Sequence, residues 1–342
     1  MSVALRPLQD VRPSQEPRAW SCYNTPDGKL RQELSRDEIA RAVAGGQGTL
    51  WVDIDTRDQK DVGMLTDVFH FHPLAIEEAE NPDSRVKLEE FNDYVLLIVR
   101  TVAFRESTDD PYDLSTANIS FFLGKNYLVT VHGPETNPVD STRELLQRKP
   151  ELATHGPAKL MHAIVDQAVD AYFPIIDKLD EFMDSLEERI FARFEQTALR
   201  EVFAVKRLVL NLRRHLAPER DALSVLTNRP STLLTPDTQI YFRDIYDHVL
   251  RIYDSLETFR DLLSSTLDSY LTQVSNRLGM ATKALSVVAT VTLPFVVVSG
   301  MWGMNFERIP LHSNPHGFMI LVLAQLALGL AIMAGLKWRN LL

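Results

Sequence analysis

Two uncharged runs near the end of the chain dominate its hydrophobic pattern. The first extends from Ala284 to Trp302 and the second from Phe318 to Leu336, with a short loop between them. At about 1.5 Å per residue, a helix of either length spans the roughly 30 Å hydrocarbon core of a bilayer. Buried helices of soluble proteins rarely keep so long a stretch free of charge. The pattern therefore predicts two membrane-spanning helices arranged as a hairpin.

Basic residues lie before the first helix of this hairpin and after the second. Arg277 and Lys283 precede the first apolar run, and Lys337 and Arg339 follow the second, whereas the loop 303–317 has one arginine. The positive-inside rule then predicts that both termini are cytoplasmic and that the loop faces outward across the cytoplasmic (inner) membrane.

Short apolar runs and alternating residues characterise positions 21–157, after a polar tail at 1–20. The clearest runs are Trp51 to Asp55, Tyr94 to Val102, Ile119 to Leu123 and Tyr127 to Val131. Turn-forming residues separate them, which is typical of β-strands. Helical spacing occurs at Arg36 to Ala44, with Ser35 as the expected N-cap, and at Asp61 to Phe69. This mixture predicts a cytoplasmic α/β domain over 21–157.

After a loop from Gly133 to Pro138, the apolar spacing changes to three and four from Ala158 onward. One stripe consists of Ile164, Ala168, Tyr172, Ile175, Leu179, Phe182, Leu186 and Ile190. It predicts a long helix that Pro174 kinks or divides. A second helix is expected from Glu195 to Leu216, where Pro218 follows.

The longest helical pattern runs without a proline from Asp237 to Pro294. A helix of this length is typical of coiled coils or membrane proteins, and here it leads into the first apolar run. Residues 158–282 are therefore expected to form a long-helix cytoplasmic stalk, and 283–342 the transmembrane hairpin. The predicted fold is an α+β cytoplasmic domain, a long-helix stalk and two C-terminal transmembrane α-helices.

A short motif, Gly303-Met304-Asn305, follows the first apolar run directly. The segment Val298-Ser299-Gly300-Met301-Trp302-Gly303-Met304-Asn305-Phe306 resembles the pore-mouth signature of the CorA-type magnesium transporters. The resemblance continues at His72 to Glu78, at Gly124 to His132 and at Tyr241 to His248, and it covers nearly all of the chain apart from the N-terminal tail. It implies a homopentameric, funnel-like channel that carries Mg2+ passively, with Co2+ and Ni2+ as further cargo, and whose first membrane helix lines the pore.

The motif suits the chemistry of Mg2+, which prefers oxygen ligands and gives up its water reluctantly. A ring of Asn305 side chains and Gly303 carbonyls, with Met304 between them, would hold the hydrated ion by its waters. Residues at helical spacing back from Asn305 would line the pore: Gly300, Val296, Leu293, Ala289, Ser286, Leu285 and Thr282. Because this face is mostly apolar, Leu293 and Leu285 are candidates for a gate that closes by dewetting. Ordinary helix packing explains the same stripe equally well, and only the resemblance favours the pore.

The resemblance also implies regulatory Mg2+ bound by carboxylates of adjacent subunits. Carried over to this chain, Glu78, where the family usually has Asp, and Asp244 would form that site, with Glu77 and Asp170 nearby. Carboxylates that repel one another when empty and are bridged by a metal would let high internal Mg2+ close the pore. A further acidic strip over 177–188 is expected to be a solvated helix face.

Departures from the family pattern leave the preferred cation open. Ile309-Pro310-Leu311 stands where many members have Met-Pro-Glu, and Gly279 stands where some relatives have a pore-facing asparagine. His312 and His316 raise the alternative of a Zn2+-preferring relative, although two histidines in a solvated loop need no metal.

A different class of function is a membrane-anchored helical scaffold or receptor without transport. It would explain the long helix and the formal charge of -10, but not an asparagine at the end of the first apolar run. The chain has no nucleotide-binding loop, nucleophile elbow or His-Glu-x-x-His motif, so neither an enzyme nor an ATP-driven pump is expected. No nucleic-acid partner is expected; the predicted partners are further copies of the chain, divalent ions and the lipid bilayer.

Overall fold

The computed structural model describes residues 19–105, 112–134, 137–191, 196–229, 233–304, 311 and 314–338. The chain divides into two compact units, Met1–Ser264 and Ser265–Leu342. The strands are β1 (Trp20–Asn24), β2 (Leu30–Gln32), β3 (Thr49–Asp55), β4 (Lys87–Glu90), β5 (Tyr94–Phe104), β6 (Leu114–Gly124) and β7 (Tyr127–His132). The α-helices are α1 (Arg36–Gly45), α2 (Gln59–Asp67), α3 (Pro73–Glu80), α4 (Asn137–Arg148), α5 (Pro157–Asp170), α6 (Phe173–Phe191), α7 (Gln196–Asn228), α8 (Pro236–Trp302) and α9 (Gly317–Trp338).

The first unit is built on a seven-stranded sheet of order β2-β1-β3-β7-β6-β5-β4. Only β3 and β7 pair in parallel; the other neighbours are antiparallel. The four strands predicted from apolar runs are confirmed as β3, β5, β6 and β7. The strands β5 and β6 extend beyond those runs, because they form one long hairpin whose outer pairs, such as Ala103 with Ser115, are less buried.

Helices cover both faces of the sheet. On one face, α1, α2 and α3 enclose a core in which the Phe71 ring stacks on Phe122 at a centroid distance of 4.2 Å. On the other face, α5 packs across β3, β7, β6 and β5. The adjacent helix α4 is anchored by Arg143, which pairs with the fully buried carboxylate of Asp53. Asp53 also receives a hydrogen bond from the Thr130 hydroxyl.

Several helix predictions agree with the structure. Ser35 caps α1, as the sequence predicts, and the structure adds that it does so in a capping box with Glu38. The long apolar stripe after Ala158 is divided into α5 and α6, and Pro174 lies in the first turn of α6, where its missing amide costs no helical hydrogen bond.

Other helix predictions need correction. The second predicted helix does not end near Leu216, because α7 continues through Pro218 to Asn228. Buried leucines on both sides of Pro218, among them Leu212 and Leu223, give the helix enough packing to tolerate the lost hydrogen bond. The predicted loop from Gly133 to Pro138 is too long by two residues, because α4 begins at Asn137.

The second unit contains the two apolar helices. The 67-residue α8 continues through Pro294 to Trp302, and the 22-residue α9 begins at Gly317. Both are long and apolar enough to cross a membrane, and almost none of the most apolar stretch of either helix is buried within the chain. The two helices approach closely at Gly329, where an added methyl group would lie 2.8 Å from the Phe295 ring. Gln325, a polar residue of α9, donates a hydrogen bond to the Phe295 carbonyl at 3.4 Å.

Candidate metal-ion sites

The motif at the end of α8 is partly described. The Gly303 amide donates to the Ser299 carbonyl at 3.0 Å, and the Met304 amide donates to the Met301 carbonyl at 3.3 Å. The helical bonding therefore reaches Gly303 and tightens to a turn at Met304, directly after the apolar segment. Asn305, the residue expected to carry the ion ring, lies outside the described residues, as does His312.

All seven candidate pore residues lie on exposed positions of α8. Leu285, Leu293 and Val296 have 71%, 64% and 66% of their surface exposed. The partly buried positions of the same stretch follow another helical stripe: Val287, Val291, Pro294, Phe295 and Val298. Phe295 on this second stripe contacts α9. Packing of α8 on α9 within one chain therefore does not use the candidate pore face.

Glu77 and Glu78 lie on the short helix α3, which His72 caps by accepting a hydrogen bond from the Leu74 amide at 3.2 Å. Glu77 is exposed, and the side chain of Glu78 is 38% exposed. Glu78 forms an ion pair with Lys87 of β4. The side chain is therefore partly open to solution, while its Oε2 atom, which pairs with Lys87, is buried.

Asp170 and Asp244 belong to a second cluster, formed by α5 and α8. Ligand atoms of Asp166, Asp170 and His248 all lie within 4.8 Å of one another. The Asp170 carboxylate is 3.7 Å from Nδ1 of His248. Asp244 lies one turn before His248 on α8. Burial, the neighbouring charge of Asp170 and, more weakly, that of Asp244 raise the pKa of Asp166.

The same cluster is bordered by basic groups. His162 of α5 has its pKa lowered to about 4, mainly by burial and by the nearby Lys159. The Lys159 ammonium lies over the Tyr241 ring, 3.0 Å from its centroid. His162 is therefore neutral at physiological pH, and the carboxylates are the charged groups that face a cation here.

The donor set of this cluster fits a divalent cation. Carboxylate oxygens suit Mg2+, and the imidazole of His248 adds a ligand that Co2+, Ni2+ and Zn2+ bind well. Burial and, after it, the charge of Asp170 raise the pKa of Asp166, and a bound cation would relieve the repulsion between the two carboxylates.

Sequence reasoning named Asp170 and Asp244 but missed Asp166 and His248. The signal for both was an i, i+4 spacing, with Asp166 one turn before Asp170 and His248 one turn after Asp244. Glu77 and Glu78 lie on α3, whereas Asp170 lies at the end of α5 and Asp244 lies near the start of α8.

The chain matches a known protein family over most of its length. The model of the CorA-like Mg2+ transporter protein family matches residues 46–337. This chain belongs to the CorA-like Mg2+ transporter family.

Individual CorA relatives match over most of their length. The chain is 34% identical over 303 residues to the putative metal ion transporter YfjQ of Bacillus subtilis, covering 88% of this chain and 93% of the relative. It is 32% identical over 262 residues to the cobalt/magnesium transport protein CorA of Thermotoga maritima, covering 76% and 74%.

Two solved full-length structures share the fold. The CorA magnesium transporter from Methanocaldococcus jannaschii matches with a TM-score of 0.78 at 19% identity, covering 95% of this chain and 98% of that one. The full-length CmaX protein matches with a TM-score of 0.76 at 20% identity, covering 95% and 100%. The predicted combination of an α+β domain, a long helix and two C-terminal apolar helices is confirmed.

As a member of the CorA family, the chain is a divalent-cation transporter of the membrane and not an enzyme. The predictions of metal-ion transport and of membrane location are confirmed.

Proposed function

We propose that this transporter is a passive Mg2+ channel formed by five copies of the chain and closed by cytoplasmic Mg2+. One observation supports this most strongly: a single unbroken helix, α8, carries Asp244 near its start and ends at Trp302, directly before Gly303 and Met304. A continuous helix transmits displacement along its length. In the proposed orientation both termini are cytoplasmic, the hairpin crosses the inner membrane, and the loop 303–317 is outside.

The proposed ion path follows the exposed face of α8. Asn305 side chains, with Gly303 carbonyls and the adjacent Met304, ring the outer mouth and hold hydrated Mg2+ by its waters. Gly300, Val296, Leu293, Ala289, Ser286, Leu285 and Thr282 line the path inward. Leu285 and Leu293, which are highly exposed in one chain, form hydrophobic constrictions that lose their water when the pore narrows.

The proposed sensor joins separate carboxylates of neighbouring copies. Glu78 of one subunit and Asp244 of the next hold regulatory Mg2+, with Glu77 and Asp170 close by. Glu77, Asp170 and Asp244 are exposed in one chain, which leaves their carboxylates accessible to a neighbouring copy. Bound Mg2+ cancels the repulsion between carboxylates and draws the cytoplasmic parts together, and its loss lets them move apart and open the pore.

Transport is driven by the concentration gradient and the membrane potential. A doubly charged ion gains roughly 4.6 kcal/mol per 100 mV of inside-negative potential. The sequence contains no nucleotide-binding motif that would couple transport to ATP.

Uptake of Mg2+, Co2+, Ni2+ and Zn2+ into proteoliposomes tests this function. We expect Mg2+ uptake without ATP, faster at inside-negative potential, and slowed by Mg2+ already inside. Faster uptake of Zn2+ than of Mg2+ would instead support a Zn2+-preferring transporter. Absence of uptake of all four metals would support a membrane-anchored scaffold and contradict the channel.

A further inference from the structure

Lys87 occupies an unusual position beside the proposed sensor. Its ammonium makes ion pairs with two carboxylates, Glu78 of α3 and Glu89 of β4, the latter at 2.8 Å. The Lys87 side chain is only 25% exposed, whereas the Glu78 and Glu89 side chains are 38% and 45% exposed. The lysine is thus held between two carboxylates whose side chains are partly exposed, and it covers the Oε2 atom of Glu78, which is buried.

The chain between α3 and β4 is fixed by hydrogen bonds that place Lys87 there. The Ser84 hydroxyl donates to the Glu78 carbonyl at 2.7 Å. The Ser84 carbonyl accepts from the Asn118 side-chain amide at 2.8 Å and from the Arg100 guanidinium at 3.1 Å. Because these bonds hold the turn against the sheet, the start of β4 returns to the last turn of α3. The contact between Lys87 and Glu78 is therefore built into the fold.

A tethered ammonium competes with a metal ion for the same oxygen atoms. The effective concentration of the Lys87 ammonium near Glu78 is set by the fold and not by the solution, so this competitor is present under all conditions in which the protein is folded. A lysine is charged throughout the physiological pH range. A divalent cation that binds Glu78 must displace this charge or share the carboxylate with it, and either cost weakens its binding.

Glu89 makes the displacement feasible. When a metal takes Glu78, Lys87 keeps its ion pair with Glu89, so the lysine is not left in a half-buried place without a partner. The structure therefore contains both the competing ammonium of Lys87 and the carboxylate of Glu89 that still binds it after a metal ion has taken Glu78.

We propose that Lys87 is a built-in competitor for the cation at Glu78 and sets the cytoplasmic Mg2+ concentration at which the transporter closes. This inference rests on the proposed function, since it assumes that Glu78 binds the regulatory ion. Lys87 does not bind the metal in this scheme. It acts through Glu78 and raises the Mg2+ concentration needed for closure.

Limited proteolysis of the full-length transporter in lipid nanodiscs, titrated with Mg2+, measures this directly without relying on flux. Lys87→Gln is expected to lower the Mg2+ concentration for half-maximal protection about twofold to fivefold, the range given by a partly exposed ion pair. Lys87→Arg, which keeps the charge, is expected to stay closer to wild type. Lys60→Gln on the exposed surface of α2 removes the same charge away from Glu78, and we expect no shift.

Repeating the comparison in a Glu78→Gln background separates direct competition from a general change of electrostatic field. If Lys87 acts through Glu78, adding Lys87→Gln to Glu78→Gln causes no further shift. An equal shift in both backgrounds, or no shift in either, would overturn the competition. A wild-type protein whose protection does not depend on Mg2+ would overturn the proposed sensor itself, and the competition with it.

Discussion

A transporter carrying both Glu78→Gln and Asp244→Asn is expected to keep conducting at internal Mg2+ concentrations that close the wild type. Each substitution removes the charge but keeps the shape of the side chain, so the metal loses two anionic ligands while the fold is preserved. Coupling between a regulatory ligand and a second site is typically about fivefold to 150-fold. We expect the inhibitory Mg2+ concentration to rise by about tenfold or more, measured as uptake into proteoliposomes preloaded with increasing Mg2+.

The matched control for this variant is Glu90→Gln with Asp254→Asn. Both residues are exposed, at the end of β4 and further along α8. This pair removes the same charge, one residue from the strand that follows α3 and one from α8 itself, so it should leave the inhibitory concentration near that of the wild type. If inhibition is unchanged in the Glu78 and Asp244 variant, or is relieved equally in the control, the proposed sensor site is wrong.

Glu219 is expected to make the stability of the first unit strongly dependent on pH. This residue of α7 has no exposed surface, and neither carboxyl oxygen has a hydrogen-bond partner in the described part of the chain. Burial raises the pKa of Glu219 to about 8, an effect that the nearby main-chain amide of Arg100 and, more weakly, the charge of Arg100 oppose only in part. The folded protein therefore holds a proton that the unfolded chain, with a pKa of about 4.3, releases.

The sign of the effect follows from this difference. Because the folded-state pKa is raised, the stabilising contribution of the proton is complete below about pH 4 and is lost as the pH rises toward 8. Between pH 5.5 and pH 8 the free energy of unfolding should fall by roughly 3 kcal/mol from this group alone. Glu219→Gln is neutral throughout and should remove this part of the pH dependence.

Thermal unfolding of the full-length protein at pH 5.5 and pH 8.5 measures the difference. The wild type should lose much more stability at the higher pH than Glu219→Gln does. Asp221→Asn changes a carboxylate two residues away that is 69% exposed and paired with the neighbouring Arg220, so its pH profile should follow the wild type. Identical profiles for the wild type and Glu219→Gln would show that Glu219 is not protonated in the folded state.

Much of the fold could be predicted because its signals are local. The strands from Trp51 to Asp55 and from Tyr127 to Val131 are short apolar runs between turns, and burial on both faces of the sheet requires that composition. The capping of α1 by Ser35 depends on residues three positions apart. The membrane helices follow from the length of uncharged sequence alone.

What the sequence did not predict depends on contacts between distant residues. The passage of α7 through Pro218 contradicts local propensity and is explained by buried leucines that pack on other elements. His248 and Asp166 lie 82 positions apart in the sequence numbering and meet only because α5 and α8 pack together. The pairing of Lys87 with Glu78 depends on a turn fixed by Ser84 and a neighbouring strand.

The proposed pore was predicted only through family resemblance. Periodicity alone could not decide whether the stripe of Leu285, Leu293 and Val296 packs against another helix or lines a channel. The structure adds that this stripe is exposed in one chain and that Phe295, on a different face, contacts α9. The role of Asn305 stays a prediction, since it lies outside the described residues.

Replacement of Asn305 tests the central claim most directly. Asn305→Ala removes the amide that is proposed to hold hydrated Mg2+, whereas Asn314→Ala removes an amide from the same loop, where the side chain accepts a hydrogen bond from the His316 amide at 2.9 Å. We expect Asn305→Ala to reduce potential-driven Mg2+ uptake into proteoliposomes by at least about tenfold, the cost of losing one set of charge-assisted ligands, while Asn314→Ala retains most of the wild-type rate. Mg2+ uptake by Asn305→Ala at the wild-type rate, or no uptake by the wild type itself, would contradict the account.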